Sequence, residues 1–78
     1  MNRYWLSFAD GSLPKGTQFL GAVVVDDESF LAAVFKTHTL GINPGGEVAG
    51  GPLDNPEKYD DVMDRLLTKA EAQEAATR

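Results

Sequence analysis

The run Phe19-Leu20-Gly21-Ala22-Val23-Val24-Val25 is apolar from end to end and does not alternate. A strand with one wet face carries polar residues at every second position, so this one is expected to lie centrally in a sheet with both faces covered. Gly21 within it marks a bulge or the close approach of another segment. Upstream, Tyr4 to Ala9 does alternate: Tyr4, Leu6 and Phe8 fall on one face and Trp5, Ser7 and Ala9 on the other, the pattern of a half-buried strand. Between the two, Asp10-Gly11-Ser12-Leu13-Pro14-Lys15-Gly16 is a loop too long for a tight hairpin.

Downstream, Asp26-Asp27-Glu28 supplies acceptors and negative charge for a helix start, and the spacing predicts a helix from about Glu28 to Leu40. Phe30, Ala33, Val34 and Thr37 line one side of it. Leu31, Phe35 and His38 lie alongside and widen the apolar face. Gly41 suits a left-handed terminator, Ile42 returns the chain to the core, and Asn43-Pro44-Gly45-Gly46 reads as a turn. Glu47 to Leu53 is a weak third strand whose Gly50, Gly51 and Pro52 fit an edge.

A second helix is expected from Asn55 as cap, with Pro56 in its first turn and Tyr59, Val62, Met63 and Leu66 as its apolar stripe. Thr68-Lys69-Ala70-Glu71 has the form of a capping box, which predicts a break near Leu67 and a short last helix fraying over residues 76–78. The order strand, strand, helix, strand, helix, short helix points to one small α+β domain, a three-stranded sheet with helices on one face.

At 78 residues the chain buries only about 60% of the surface its unfolded form exposes. It has no cysteine, which removes disulfides and disfavours thiolate zinc sites. Association with further copies is the remaining common remedy, and the open sheet edges point the same way, so a homo-oligomer is expected. Trp5 and Tyr4 are the candidate interface aromatics; alternatively, the second helix covers Trp5. The formal charge of −5 argues against binding duplex nucleic acid. No apolar run approaches the roughly 20 residues that span a bilayer, and the amino end lacks a secretory signal, so a cytoplasmic protein without a membrane partner is expected.

Catalysis finds little footing. The only histidine is His38, no serine sits in an elbow motif, and a Ser-His-Asp arrangement is excluded. His38 reads as a helix-end or core-edge residue before it reads as an acid, base or ligand. The clusters Asp26-Asp27-Glu28 and Asp60-Asp61 with Asp64 lack the alternation, central glycine and closing glutamate of a calcium loop, so neither metal nor cofactor is expected. Five of eight glycines fall between Gly41 and Gly51. Such a segment either turns the chain or presents bare amides to an anion, though it matches no phosphate-loop pattern. If it does hold a nucleotide-like molecule, Gly45 and Gly46 would approach it, Asn43, Glu47 and His38 would lie nearby, and Arg3, Lys15, Lys36 or Arg65 would meet its phosphates. The alternative is an acidic protein-interaction module using the stripe Glu57, Asp61, Asp64 or the Trp5 face.

Through Trp5-Leu6-Ser7-Phe8-Ala9-Asp10, Phe19-Leu20-Gly21 and Leu40-Gly41-Ile42-Asn43-Pro44-Gly45-Gly46-Glu47 the chain resembles a group of short phage and bacterial proteins to which no activity is assigned. The resemblance transfers no functional residue. If it implies a phage source, a compact oligomer without catalytic groups is similar in size and context to viral proteins that sequester nucleotide signals or block a host factor.

Overall fold

Two neighbouring strands with complementary patterns zip together first in the chain. The computed structural model describes residues 1–78; in it β1 (Asn2–Ala9) and β2 (Phe19–Asp27) pair antiparallel, with Tyr4 opposite Val25, Leu6 opposite Val23 and Phe8 opposite Gly21. The register slips between Phe8 and Ala9, so the bulge expected at Gly21 is present. The close approach is present too: a Cβ on Gly21 would stand 2.6 Å from Leu66 Cδ1. On the other side of β1 lies β3 (Glu47–Pro52), also antiparallel, giving the order β2-β1-β3.

The expected α+β class, the three-stranded sheet and the order of elements are as the sequence predicts. Two placements differ. The first concerns β2, expected in the centre of the sheet, which is instead an outer strand with β1 central. A continuous apolar run reports that both faces are covered, and that says nothing of which edges are paired. The second concerns the helices, expected on one face and found on both. On one side Tyr4, Leu6, Phe8, Val23 and Val25 pack with Ala33 of α1 (Phe30–Thr39), supported by Phe30, Val34, Ile42 and Val48. On the other, Ala22 and Val24 pack with Val62, Leu67, Ala72 and Ala75 from the last third of the chain, and Trp5, Tyr59 and Met63 flank them. Each face of β2 therefore feeds a separate core.

Local chemistry fixes the ends of α1. The cap is Ser29, whose hydroxyl accepts from the Ala32 amide at 3.1 Å; the acidic triplet expected to start the helix instead lies at the end of β2 and just beyond it. At the far end Gly41 takes φ +71°, and the amides of Gly41 and Ile42 donate to the carbonyls of His38 and Thr37, the paired bonds of a Schellman motif.

The second helix departs furthest from expectation. Pro56–Val62 forms a 3₁₀ helix, and the Asn55 side chain makes no capping bond. With three residues per turn, Tyr59 and Val62 share a face over the sheet. Met63 then turns extended and Asp64 adopts φ +58°, so that Met63 to Leu67 run beside β2. Ala22 and Leu67 exchange backbone bonds of 3.3 and 2.7 Å, and the Asp64 amide donates to the Val24 carbonyl at 2.9 Å. Continuing the α-helix through Leu66 would forfeit those bonds to the outer edge of β2. The capping box forms as expected, with Thr68 and Glu71 exchanging bonds at the start of α2 (Lys69–Ala76). Arg78 reaches back to Asp61, Glu74 and the Lys58 carbonyl.

Glycines seat β3 against its neighbour. Gly50 holds φ +148°, and a Cβ there would overlap the carbonyl oxygen of Trp5; Gly46, at φ +73°, is similarly pressed against the Ala9 carbonyl. Gly45, at φ +87°, faces open space. Gly50→Ala is accordingly expected to cost about 2 kcal/mol or more, from steric overlap added to backbone strain, and Gly45→Ala about 1 kcal/mol from strain alone. Urea denaturation midpoints of the two variants check this, and equal shifts would contradict the packing described.

Candidate functional site

The turn after α1 is held by one side chain. Asn43 Oδ1 accepts from the Gly45 amide at 2.8 Å, and its Nδ2 donates to Thr37 Oγ1 at 2.9 Å, while Thr37 donates in turn to the Val34 carbonyl at 2.5 Å. That pattern fixes which end of the amide is which, and it leaves Nδ2 as donor to His38 Nε2 at 3.3 Å. Asn43, His38 and Gly45 are thus brought together, with Gly46 and the exposed Glu47 following in the chain.

Their electrostatics do not suit an anion. The Gly45 amide is already donated to Asn43, and Gly46 is pressed at its α-carbon against the Ala9 carbonyl of β1. The corner sits at the C-terminal end of α1, where the unpaired carbonyls of a helix concentrate partial negative charge, and Glu47 adds a full one.

Arg3 is elsewhere. It pairs with Asp26 at the start of β1, six residues from Ala9, beside which Gly46 packs; at about 3.3 Å per residue that is about 20 Å of strand. Its guanidinium is spent on the fold: Nε and Nη2 donate to Asp26 at 2.8 and 3.1 Å, and Nη1 donates to Asp60 at 2.5 Å and to the Pro56 carbonyl at 2.6 Å. One side chain therefore ties the 3₁₀ helix to the ends of β1 and β2. Those hydrogen bonds hold the Asp26 carboxyl below its ordinary range and push the arginine further up.

The two aromatics nominated for an interface are both occupied within the chain. Tyr4 is buried, edge-on to Phe30 with ring centroids 6.2 Å apart, which corrects its expected place at a contact surface. Trp5 is half-buried beneath Tyr59 at 6.3 Å, so the alternative in which the segment after Pro56 covers it is the one observed. In the acidic stripe, Asp61 is paired with Arg78, while Glu57 and Asp64 are exposed.

The surface feature that sequence reading misplaced is on α1. Leu31 and Phe35, which broaden the apolar face in the sequence, are 65% and 63% exposed, and Leu40 beyond the helix end is 45% exposed. The core-facing residues are Phe30, Ala33, Val34 and Thr37. Leu31 and Phe35 stand one turn apart on the adjoining side, followed there by the exposed His38. Their signal in the sequence was an apolar face broader than one sheet contact needs.

No helix is long and apolar enough to cross a membrane. Comparison with protein-family models, with curated proteins and with solved structures gives no match.

The carboxylates held below their ordinary range fix a direction for pH dependence. Asp26 beside Arg3, Asp61 beside Arg78 and Glu71 at its capping box all ionise more readily in the fold than in the unfolded chain. Their stabilisation is present above the ordinary carboxylate range of about 4 and is lost as pH falls through the lower folded values. Thermal melts should therefore show a Tm that declines below about pH 4, and Arg3→Met should lessen that decline by removing the partner of Asp26. An unchanged acid profile in the variant would contradict the role given to Arg3.

Proposed function

We propose that this chain is a non-enzymatic protein-interaction module whose contact surface is the outer side of α1. The observation that carries the reading is the pair Leu31 and Phe35, one turn apart and both nearly two-thirds exposed on a chain with few large apolar side chains to spare. Exposed leucine or phenylalanine residues occurring singly are ordinary, whereas an adjacent pair on one helix side is the geometry by which helices engage grooves or other helices. The fold gives that pair a rigid mount, since α1 is capped at both ends and packed along its other side.

Two further observations weigh against the anion-holding reading of the glycine turn. Its exposed amide at Gly45 has an internal acceptor, and the helix end beside it is electrostatically negative. The single histidine has an asparagine amide as its hydrogen-bond partner. The acidic stripe is a weaker contact surface than α1 because Asp61 is neutralised by Arg78.

Photocrosslinking separates the readings. With p-benzoylphenylalanine at position 35, expression in the source cell is expected to yield a discrete protein adduct, and the same group at Gln73 on α2 is expected to yield none. Adducts of equal yield from both positions, or none from position 35, would overturn the proposal. In the same preparation, saturating mononucleotides and cyclic dinucleotides should leave Tm unchanged, because only a bound ligand stabilises by mass action. A rise in Tm abolished by replacing Gly45 and Gly46 would restore the anion site.

A further inference from the structure

Independently of the α1 surface, we infer that the outer edge of β3 pairs with the same edge of a second copy, antiparallel about a two-fold axis at Ala49, which joins two sheets into one. Of the two sheet edges only one is closed within the chain. The edge of β2 is met by Met63 to Leu67, whereas β3 pairs with β1 alone.

The register determines which groups of β3 face outward. The Leu53 amide donates to the Arg3 carbonyl, and the pairing continues without a slip from Tyr4 opposite Pro52 to Ala9 opposite Glu47. Backbone groups alternate in direction along an antiparallel ladder, so Glu47, Ala49 and Gly51 turn theirs to β1 while Val48, Gly50 and Pro52 turn theirs away. No turn, loop or cap bond reaches the amides or carbonyls of Val48 and Gly50. Pro52 falls where β1 requires no N–H of it, the place proline takes on an edge strand.

These outward groups are self-complementary in one register. With the axis at Ala49, Val48 of one copy lies opposite Gly50 of the other, and the two exchange amide and carbonyl on both sides of the axis. An axis at Gly50 would set Val48 against Pro52, which has no N–H for the Val48 carbonyl. An axis at Val48 would set Gly50 against Gly46, which at φ +73° has left the extended conformation. In the Ala49 register the only charged residue of β3, Glu47, lies opposite Gly51 and not opposite its own counterpart, and the Val48 side chain lies beside Gly50, which has none. Approach to the edge is clear, because α2 and the 3₁₀ helix pack on β2 and α1 leans mainly on β2 as well. The paired stretch from Val48 to Gly50 is only about 7 Å long, so the dimer is weak and governed by concentration.

The chain has no cysteine, so Ala49→Cys places a single thiol on the axis. Facing residues at such a position lie about 4.5 Å apart at Cα, within the span of about 7 Å that a disulfide bridges, whereas the two copies of residue 47 are offset by about 13 Å along the strands. Under mild oxidation Ala49→Cys should therefore form a covalent dimer at least about tenfold faster than Glu47→Cys. Sedimentation equilibrium from micromolar to millimolar concentration should show a reversible monomer–dimer equilibrium, weakened at least about tenfold by Ala49→Lys or Ala49→Glu, each setting like charges face to face, and restored when the two variants are mixed. Ala49 is exposed, so the melting curves of these variants should be unchanged. A monomer at every concentration, equal crosslinking from positions 47 and 49, or a dimer lost in Phe35→Glu and kept in Ala49→Lys would each overturn the inference, the last by placing the contact on α1. A heterologous adduct from position 35 is unaffected by any of these outcomes, so the edge pairing and the interaction-module reading fail separately.

Discussion

The fold depends on the paired backbone bonds between Ala22 and Leu67. By exchanging amide and carbonyl with β2, Leu67 closes the outer edge of the sheet's most apolar strand and carries its own buried side chain onto the face opposite α1. That single contact explains why Met63 to Leu67 abandon helical geometry, why Gly21 can have no side chain, and how a sheet of three strands supports a core on each face. The two arginine clusters then fasten the 3₁₀ helix, Arg3 from the sheet at Pro56 and Asp60 and Arg78 from beyond α2 at Lys58 and Asp61.

A sheet used on both faces leaves little surface with which to bury anything more. The core-facing stripe of α1 packs on β1 and β2, and the next row of apolar side chains, Leu31 and Phe35, remains outside. The glycine segment is occupied with something else. Gly46 and Gly50 let the β3 backbone close onto β1, and the Asn43 amide organises the turn that leads into them. A feature that resembles a ligand cradle in sequence is therefore accounted for by strand packing, and the exposed apolar pair lies on the helix side.

What was legible in the sequence was local. The alternation of Tyr4 to Ala9, the terminator at Gly41, the capping box of Thr68 and Glu71 and the bulge at Gly21 each depend on a few neighbouring residues, and each appears in the structure. Strand order and helix placement were not legible, because hydrophobic pattern reports coverage of faces and is silent on which edge pairs with which. The 3₁₀ helix escaped for a related reason: the segment that follows it, Met63 to Leu67, is bonded to the edge of β2, some 40 residues earlier in the chain. Arg3 was assigned to a ligand because its partners Asp26 and Asp60 lie 23 and 57 residues away, beyond any short-range signal. Leu31 and Phe35 broaden the apolar face read from the sequence, and periodicity identifies such a face without saying whether anything lies over it.

Amide hydrogen exchange across a urea series tests the central claim most directly. If Leu67 seals β2, the amides of Ala22 and Leu67 should exchange only through global unfolding, with the same free energy and denaturant dependence as those of Leu6 and Val23 at the heart of the sheet. Exchange of Ala22 and Leu67 through a separate opening, at lower free energy and without denaturant dependence, would show that β2 has an open edge and that the last third of the chain is only loosely applied to it.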